Sequence, residues 1–335
     1  MLMKLCKLIP VIAAAATLCG CGGQHMEQYQ MFAMDTYVTL SGYCDRKTLE
    51  DAGEEVRRLE GLWSVNIESS DIARLNRDGS AELSAETAGL MSFTLSMSER
   101  TGGALDPTIY PVLREWGFTT DEHHVPDDDT IAELLENVGW EKVTLDGRSA
   151  SLPVGTAVDA GAVAKGYAAD IIAERLKSGG VTAGIVDLGG NVLTFGQKPD
   201  GSDWKVSVRD PFGDGAAGTL SVGECSVVTS GSYERYFEQD GVRYHHIIDP
   251  ATGRPADTGL ESVTVIAGES KLCDALSTAL FVMGEDRAFD LWRESDDFEM
   301  IMITSDKRLL ISEGIADRFE PDSKKKDYSA EVIRR

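Results

Sequence analysis

Five clusters of polar side chains in this sequence have types and spacings that could do chemistry. Asp274 and Thr278 stand four apart in a stretch of helical pattern, so a carboxylate and a hydroxyl project from one face. A hard cation such as Mg²⁺ takes oxygen ligands of these kinds, often with carbonyls and a substrate phosphate; the bland reading of the pair is a helix-surface detail. Asp159-Ala-Gly-Ala-Val-Ala-Lys165 puts a carboxylate at a helix entrance and a lysine among small apolar residues. That ammonium is costly to bury unless an anion meets it, and the alternative is a lysine that snorkels to water. Thr101-Gly-Gly-Ala-Leu-Asp106-Pro-Thr108 offers glycines for close backbone approach and an acid to accept a hydrogen bond, or else a helix stop and an Asp-Pro turn. Thr229-Ser-Gly-Ser-Tyr-Glu-Arg235 lies at a strand end, where loops commonly hold ligands. His245-His246-Ile-Ile-Asp249-Pro250 ends another strand-like run. Histidine titrates near neutral pH and moves protons, but neighbours on a strand face opposite ways, so one of the two serves a given site.

The elements that must position these clusters follow from periodicity. Tyr37 to Leu40 reads as a first strand, and Leu49, Ala52, Val56, Leu59 and Trp63 form one apolar helical stripe. Ser84 is placed to cap a second helix carrying Leu90, Phe93 and Met97, stopped by Gly102-Gly103. A third helix is predicted from Ala162 to Lys177, ending at Gly179-Gly180 and leading into the strand Gly184 to Leu188. Strands follow near Trp204 to Val208, Val227 to Thr229, Tyr244 to Ile248 and Val263 to Ile266, then a helix from Lys271 to Met283 and a strand at Met300 to Ile303. Runs of strands with helices between them predict an α+β fold of mixed sheets with packed helices. Thr119 to Asp129, with three consecutive aspartates, reads as an exposed insertion or a divide between lobes. No Gly-x-Gly-x-x-Gly stands between a strand and a helix, and no Walker loop or Gly-x-Ser-x-Gly occurs, so the common nucleotide and hydrolase folds are not signalled.

The 335 residues carry 32 Lys and Arg against 56 Asp and Glu, a net charge of −24, which repels nucleic acid as a partner. Lys4 and Lys7 precede an apolar run from Leu8 to Leu18, the pattern of a secretory signal, shorter than the ~20 residues a bilayer span needs. Leu18-Cys19-Gly20-Cys21 resembles a bacterial lipobox with Cys21 as the lipidated residue; the alternative is an ordinary cleaved signal. Loss of residues 1–20 removes two lysines and no acids, giving 30 − 56 = −26, so a lipid and not charge would hold this body at an anionic membrane. Cys44, Cys225 and Cys273 remain in the body, enough for one bridge at most. Residues 1–20 are thus expected as signal peptide, 21–30 as tether, 31–320 as the folded domain and 321–335, with Lys324-Lys-Lys, as a solvated tail.

Taken in order, the clusters resemble the ApbE family of FAD:protein FMN transferases. The resemblance runs through Met34-Asp35-Thr36, Ser64 to Arg74-Leu-Asn76, Thr101 to Pro107, Asp159 to Tyr167, Asp187-Leu-Gly-Gly-Asn191, Thr229-Ser-Gly, His246 to Gly253, and Asp274 to Thr278. It implies a body related to the tunnelling fold, dependence on Mg²⁺, and transfer of FMN from FAD to a threonine hydroxyl of a target protein with release of AMP. It places Met34, Asn66, Ala104, Leu105, Asp106, Asp159, Lys165 and Ile248 at the FAD, and Asp274, Ser277, Thr278 and the Ala162 carbonyl at Mg²⁺. His246 falls where it would deprotonate the incoming threonine, a task its ordinary pKa suits. Two positions depart from the family pattern. Asp35 stands where glycine is usual, and Asn66 stands where an aromatic is frequent. The smaller Asn66 would leave room for water and keep open FAD pyrophosphatase activity, giving FMN and AMP. A third reading is a flavin-binding lipoprotein without turnover. The expected location is the extracytoplasmic or periplasmic face of a membrane, near a redox subunit that carries the acceptor threonine.

Overall fold

A computed structural model of the protein describes residues 25–120 and 122–335. The signal peptide and Cys21 lie outside the described residues. Seven α-helices form among the described residues: α1 (Arg46–Trp63), α2 (Asp71–Asp78), α3 (Ala85–Arg100), α4 (Tyr110–Glu115), α5 (Asp128–Leu135), α6 (Gly161–Ser178) and α7 (Ser270–Arg293). The α1 stripe of Leu49, Ala52, Val56, Leu59 and Trp63 is buried as its spacing requires, and Asp45 caps the helix by accepting from Thr48 N at 2.9 Å. Ser84 caps α3 in the same way.

A nine-stranded sheet forms the centre, in the spatial order Glu27–Ala33, Thr36–Gly42, Gly184–Leu188, Asn191–Phe195, Cys225–Gly231, Leu260–Ala267, Phe298–Thr304, Arg308–Ser312, Ser329–Ile333. Its neighbours are antiparallel except for the last pair, which is parallel. Along Phe298–Thr304 the period of two is plain: Met300 and Met302 join the core beneath the helices, whereas Ile301 and Ile303 face a second sheet. That second sheet pairs Trp204–Arg209, Ala216–Val222 and Phe319–Pro321. The mixed α+β fold expected from the element order is therefore present.

Four boundaries differ from the sequence reading. The tether is shorter, because Glu27 already pairs with Gly42 in the first strand. The acidic run is a helix start and not an open loop: Asp127 accepts from Thr130 N at 2.8 Å, and Asp128 and Asp129 occupy the first turn of α5, where the helix dipole favours acids. The strand predicted over 244–248 breaks after His245, since His246 N donates to the Arg235 carbonyl at 3.0 Å and Ile248 pairs with Pro255. The last residues are not a free tail: Ser329–Ile333 closes the sheet edge, Lys325 is ion-paired with buried Asp210, and Tyr328 donates to Asp210 Oδ1 at 2.6 Å. All three body cysteines are free.

Candidate active site

The site is built where α6 and α7 cross. Gly166 is the contact point: a Cβ there would meet the Ser270 carbonyl at 2.3 Å and Asp274 Cβ at 2.7 Å, so only glycine lets the helices approach this closely. Gly166 N donates to Asp274 Oδ2 at 2.8 Å. In a regular helix that N–H belongs to the carbonyl of Ala162, and its turn toward Asp274 loosens the claim on that carbonyl. Lys165 Nζ lies 3.8 Å from Asp274 Oδ1 and donates to the Gly161 carbonyl at 3.3 Å. One turn further along α7, Ser277 donates to the Asp274 carbonyl at 3.0 Å. Ser230, from the Thr-Ser-Gly run, meets Ser277 Oγ at 2.8 Å and Thr278 Oγ1 at 3.2 Å, tying the sheet to this helix face.

Lys165 also sets the surrounding field. Its charge acts on Asp159, Glu234, His246 and Asp274, while Arg235 acts on Asp159, Glu234 and His246, and Arg209 on Glu234. Asp159 and His246 are half-buried, and Glu234 keeps an exposed edge. Burial pushes the Glu234 carboxyl up to about 7 against the pull of Lys165, and raises Asp159 and Asp274 above the usual carboxylate range. His246 moves the other way. Burial and the Arg235 charge lower it to about 3, which corrects the expectation of an ordinary imidazole pKa. His246 Nδ1 lies 3.1 Å from the Arg235 carbonyl, and a carbonyl only accepts, so Nδ1 carries the proton and the Nε2 lone pair is free. His245 faces elsewhere, with Nε2 at 3.2 Å from the Ala256 carbonyl and its ring edge-on to Phe281.

The other predicted residues divide by what holds them. Met34 and Asp35 form the two-residue turn of the first hairpin, both at positive φ (52° and 56°), with Met34 N donating to Glu60 Oε1 at 2.7 Å. That backbone explains the family preference for glycine at 35, and aspartate is among the few residues that tolerate it. The Asp35 charge acts on Asp159 and opposes its ionisation. Asp106 is largely engaged: it accepts from Thr108 N, Thr108 Oγ1 and Trp140 N at 2.8, 2.5 and 2.9 Å and so fixes the loop that carries Ala104 and Leu105. Both its oxygens thus have protein donors, while the remaining lone pairs stay open to a ligand. Ala104, Leu105 and Ile248 are buried, which leaves backbone and side-chain edges for contact. Asn66 stands on an exposed turn after α1, with its N–H on Ser64 Oγ at 3.2 Å, and no described contact joins it to the Lys165 cluster. Arg209, Glu234 and Asn191 were not singled out as site residues in the sequence, although the last two lie within quoted motifs. Two surface hollows, at Tyr167, Asp170 and Lys271 and at Arg114, Glu115 and His124, share no residue with the cluster.

The donor set suits a cation that bridges to an anion. Among the described residues no three His, Cys, Asp or Glu side chains converge as a metal cage. Asp274 and Thr278 offer a carboxylate and a hydroxyl on one face of α7, hard oxygens of the kind that Mg²⁺ takes together with carbonyls, phosphate and water. Beside Asp274 the buried Asn191 side-chain amide is turned toward the Asp274 carboxylate and favours its charged form.

The ApbE family model matches residues 34–302, a span that includes every element of this site. The chain belongs to the ApbE family. An ApbE relative from Treponema pallidum, named FAD:protein FMN transferase, is 38% identical over 334 residues, covering 90% of this chain and 92% of its own length. One from Klebsiella pneumoniae with the same name is 34% identical and covers 88% and 94%. Among solved structures, the ApbE protein of Thermotoga maritima superposes with a TM-score of 0.79 at 33% identity, covering 90% of this chain and 98% of that one. The flavin transferase ApbE of Vibrio cholerae gives 0.77 at 27% identity, covering 88% and 96%.

Proposed function

We propose that this protein transfers FMN from FAD to a threonine hydroxyl of a second protein and releases AMP, in the cleft between Lys165, Asp274 and His246. The observation that carries this reading is the meeting, in a chain of net charge −24, of three cationic side chains with a cluster of hard oxygens and an imidazole whose Nε2 is free. Lys165 receives the pyrophosphate. His246 Nε2 takes the threonine proton as the hydroxyl oxygen bonds to the FMN phosphorus, and the bond from that phosphorus to AMP breaks. An arriving pyrophosphate raises the basicity of His246, because negative charge favours the imidazolium. Asp274, Thr278 and the Ala162 carbonyl, with Ser277 supporting from within the helix, hold Mg²⁺. The bound metal neutralises charge on the phosphates.

A passive flavin binder has no use for a free imidazole lone pair at the phosphates. Hydrolysis of FAD, with water in place of the threonine hydroxyl, is the competing reaction. The test is incubation with FAD, Mg²⁺ and a flavoprotein subunit carrying an acceptor threonine, read by mass spectrometry of the acceptor and by AMP release. An added FMN on the acceptor is expected, and Asp274→Ala should lose transfer by ~10²-fold or more. AMP released at one rate with or without acceptor, and no modified acceptor, would establish the hydrolase instead.

A further inference from the structure

Asn76 belongs to the Arg74-Leu-Asn76 run, to which the reaction above assigns nothing. It sits in the last turn of α2, and both ends of its side-chain amide engage one distant residue. Asn76 Nδ2 donates to the Val158 carbonyl at 2.8 Å, and Val158 N donates back to Asn76 Oδ1 at 2.8 Å, across 82 residues of sequence. This two-way pairing is what a neighbouring strand would supply, and residues 152–160 have no such neighbour. They run irregularly between Ser149–Ser151 and α6, past Val154, which is fully exposed, and Gly155 at φ +89°. Val158 itself is buried, and the next residue is Asp159. Asp159 is fixed from its other side by its N–H on the Pro107 carbonyl at 2.9 Å and by its Oδ1 on Gly161 N at 2.9 Å.

The clamp is rigidly mounted. Ser70 caps α2 by accepting from Ala73 N at 2.9 Å, and buried Asp71 accepts from Ser84 N at 2.8 Å and Thr87 Oγ1 at 2.7 Å. We propose that Asn76 is a positioning residue: by pairing both backbone groups of Val158 it aims the Asp159 carboxylate at the FAD site. The proposal rests on the reading that Asp159 contacts FAD.

The test is a double-mutant cycle on FAD affinity, measured by titration of the full enzyme, with thermal melting as the check of fold. Asn76→Ala removes both bonds. Asn76→Asp keeps the shape but sets an oxygen against the Val158 carbonyl, so it should be no better than alanine. Each is expected to weaken FAD binding roughly 10-fold to 100-fold, as small misplacements of a contact do. In the Asp159→Ala background the further loss from Asn76→Ala should vanish. Losses that simply add would overturn the proposal and leave Asn76 a stability residue. Unchanged FAD affinity of Asp159→Ala alone would instead remove the reading on which it rests, a separately visible outcome. Should both Asn76 variants fail to fold, amide exchange in the native enzyme decides: Val158 N–H should be protected like a core strand, and fast exchange there would refute the clamp.

Discussion

The imidazole of His246 has a pH signature that follows from its surroundings. The unfolded chain takes up a proton on this residue near pH 6.5, while the folded chain holds it neutral down to about 3. Between these values the unfolded state binds more protons, so this residue's contribution to stability is present above pH 6.5 and is lost as pH falls through it. His246→Gln should flatten that part of the dependence: melting temperatures of the two proteins recorded from pH 7 to pH 4 should converge toward the acid end. The same substitution should lower FMN transfer by ~10²-fold or more while FAD still binds, since it removes a proton acceptor and no phosphate partner. An unaltered acid slope would mean that His246 is not held neutral by its burial and by Arg235.

At the scale of elements, the crossing of α6 and α7 determines whether the site exists. No side chain within the α7 N-terminus caps it; Asp170 of α6 does so from across the crossing, accepting from Ser270 N at 2.7 Å and Lys271 N at 2.9 Å. With Gly166 in contact with α7 on the next turn, the two helices behave as one support for Lys165 and Asp274. Gly166→Ala should therefore destabilise by about 1–3 kcal/mol through overpacking, despite the better helix propensity of alanine. It should also reduce transfer more than a distant substitution of equal thermal cost, because parting the helices separates Lys165 from Asp274. A variant as stable and active as the parent would show that the crossing yields more readily than its contacts imply. Gly284, at φ 76° and ψ 175°, kinks α7 well beyond these residues, so the predicted end at Met283 marks a real break although helical turns continue to Arg293.

For the whole molecule, the last strand and the first residues matter most. Residues 322–335 carry Lys325 and Tyr328 onto Asp210 and add Ser329–Ile333 to Arg308–Ser312, so their deletion uncovers a sheet edge and leaves buried Asp210 without those partners. The truncated protein should melt lower and aggregate at concentrations where the full chain stays monodisperse; equal melting would return this segment to the status of a dispensable tail. No helix among the described residues is long and apolar enough to cross a membrane. We propose attachment through a lipid on Cys21, on the lipobox-like Leu18 to Cys21. Cys21→Ser should leave the precursor unprocessed and unlipidated, whereas the native protein partitions into detergent. Recovery of native protein lipid-free, beginning elsewhere than Cys21, would exclude the tether.

Local pattern alone was enough for the parts of this protein that depend on local energetics. The α1 stripe, the cap at Ser84, and the i,i+4 pairing of Asp274 with Thr278 are properties of adjacent turns, and the ordered motifs carried the family. Other features required the chain to meet itself. The tautomer of His246 depends on a carbonyl eleven residues earlier, the acceptors of Asp106 are engaged by Thr108 and by Trp140 across the loop, and Asn76 finds its partner 82 residues away. Polar residues such as Ser329 to Glu331 looked like tail because strand pairing in register, and not their hydrophobicity, recruits them to the sheet. The pKa of a group in a cleft belongs in the same class, since burial and facing charges exist only after folding.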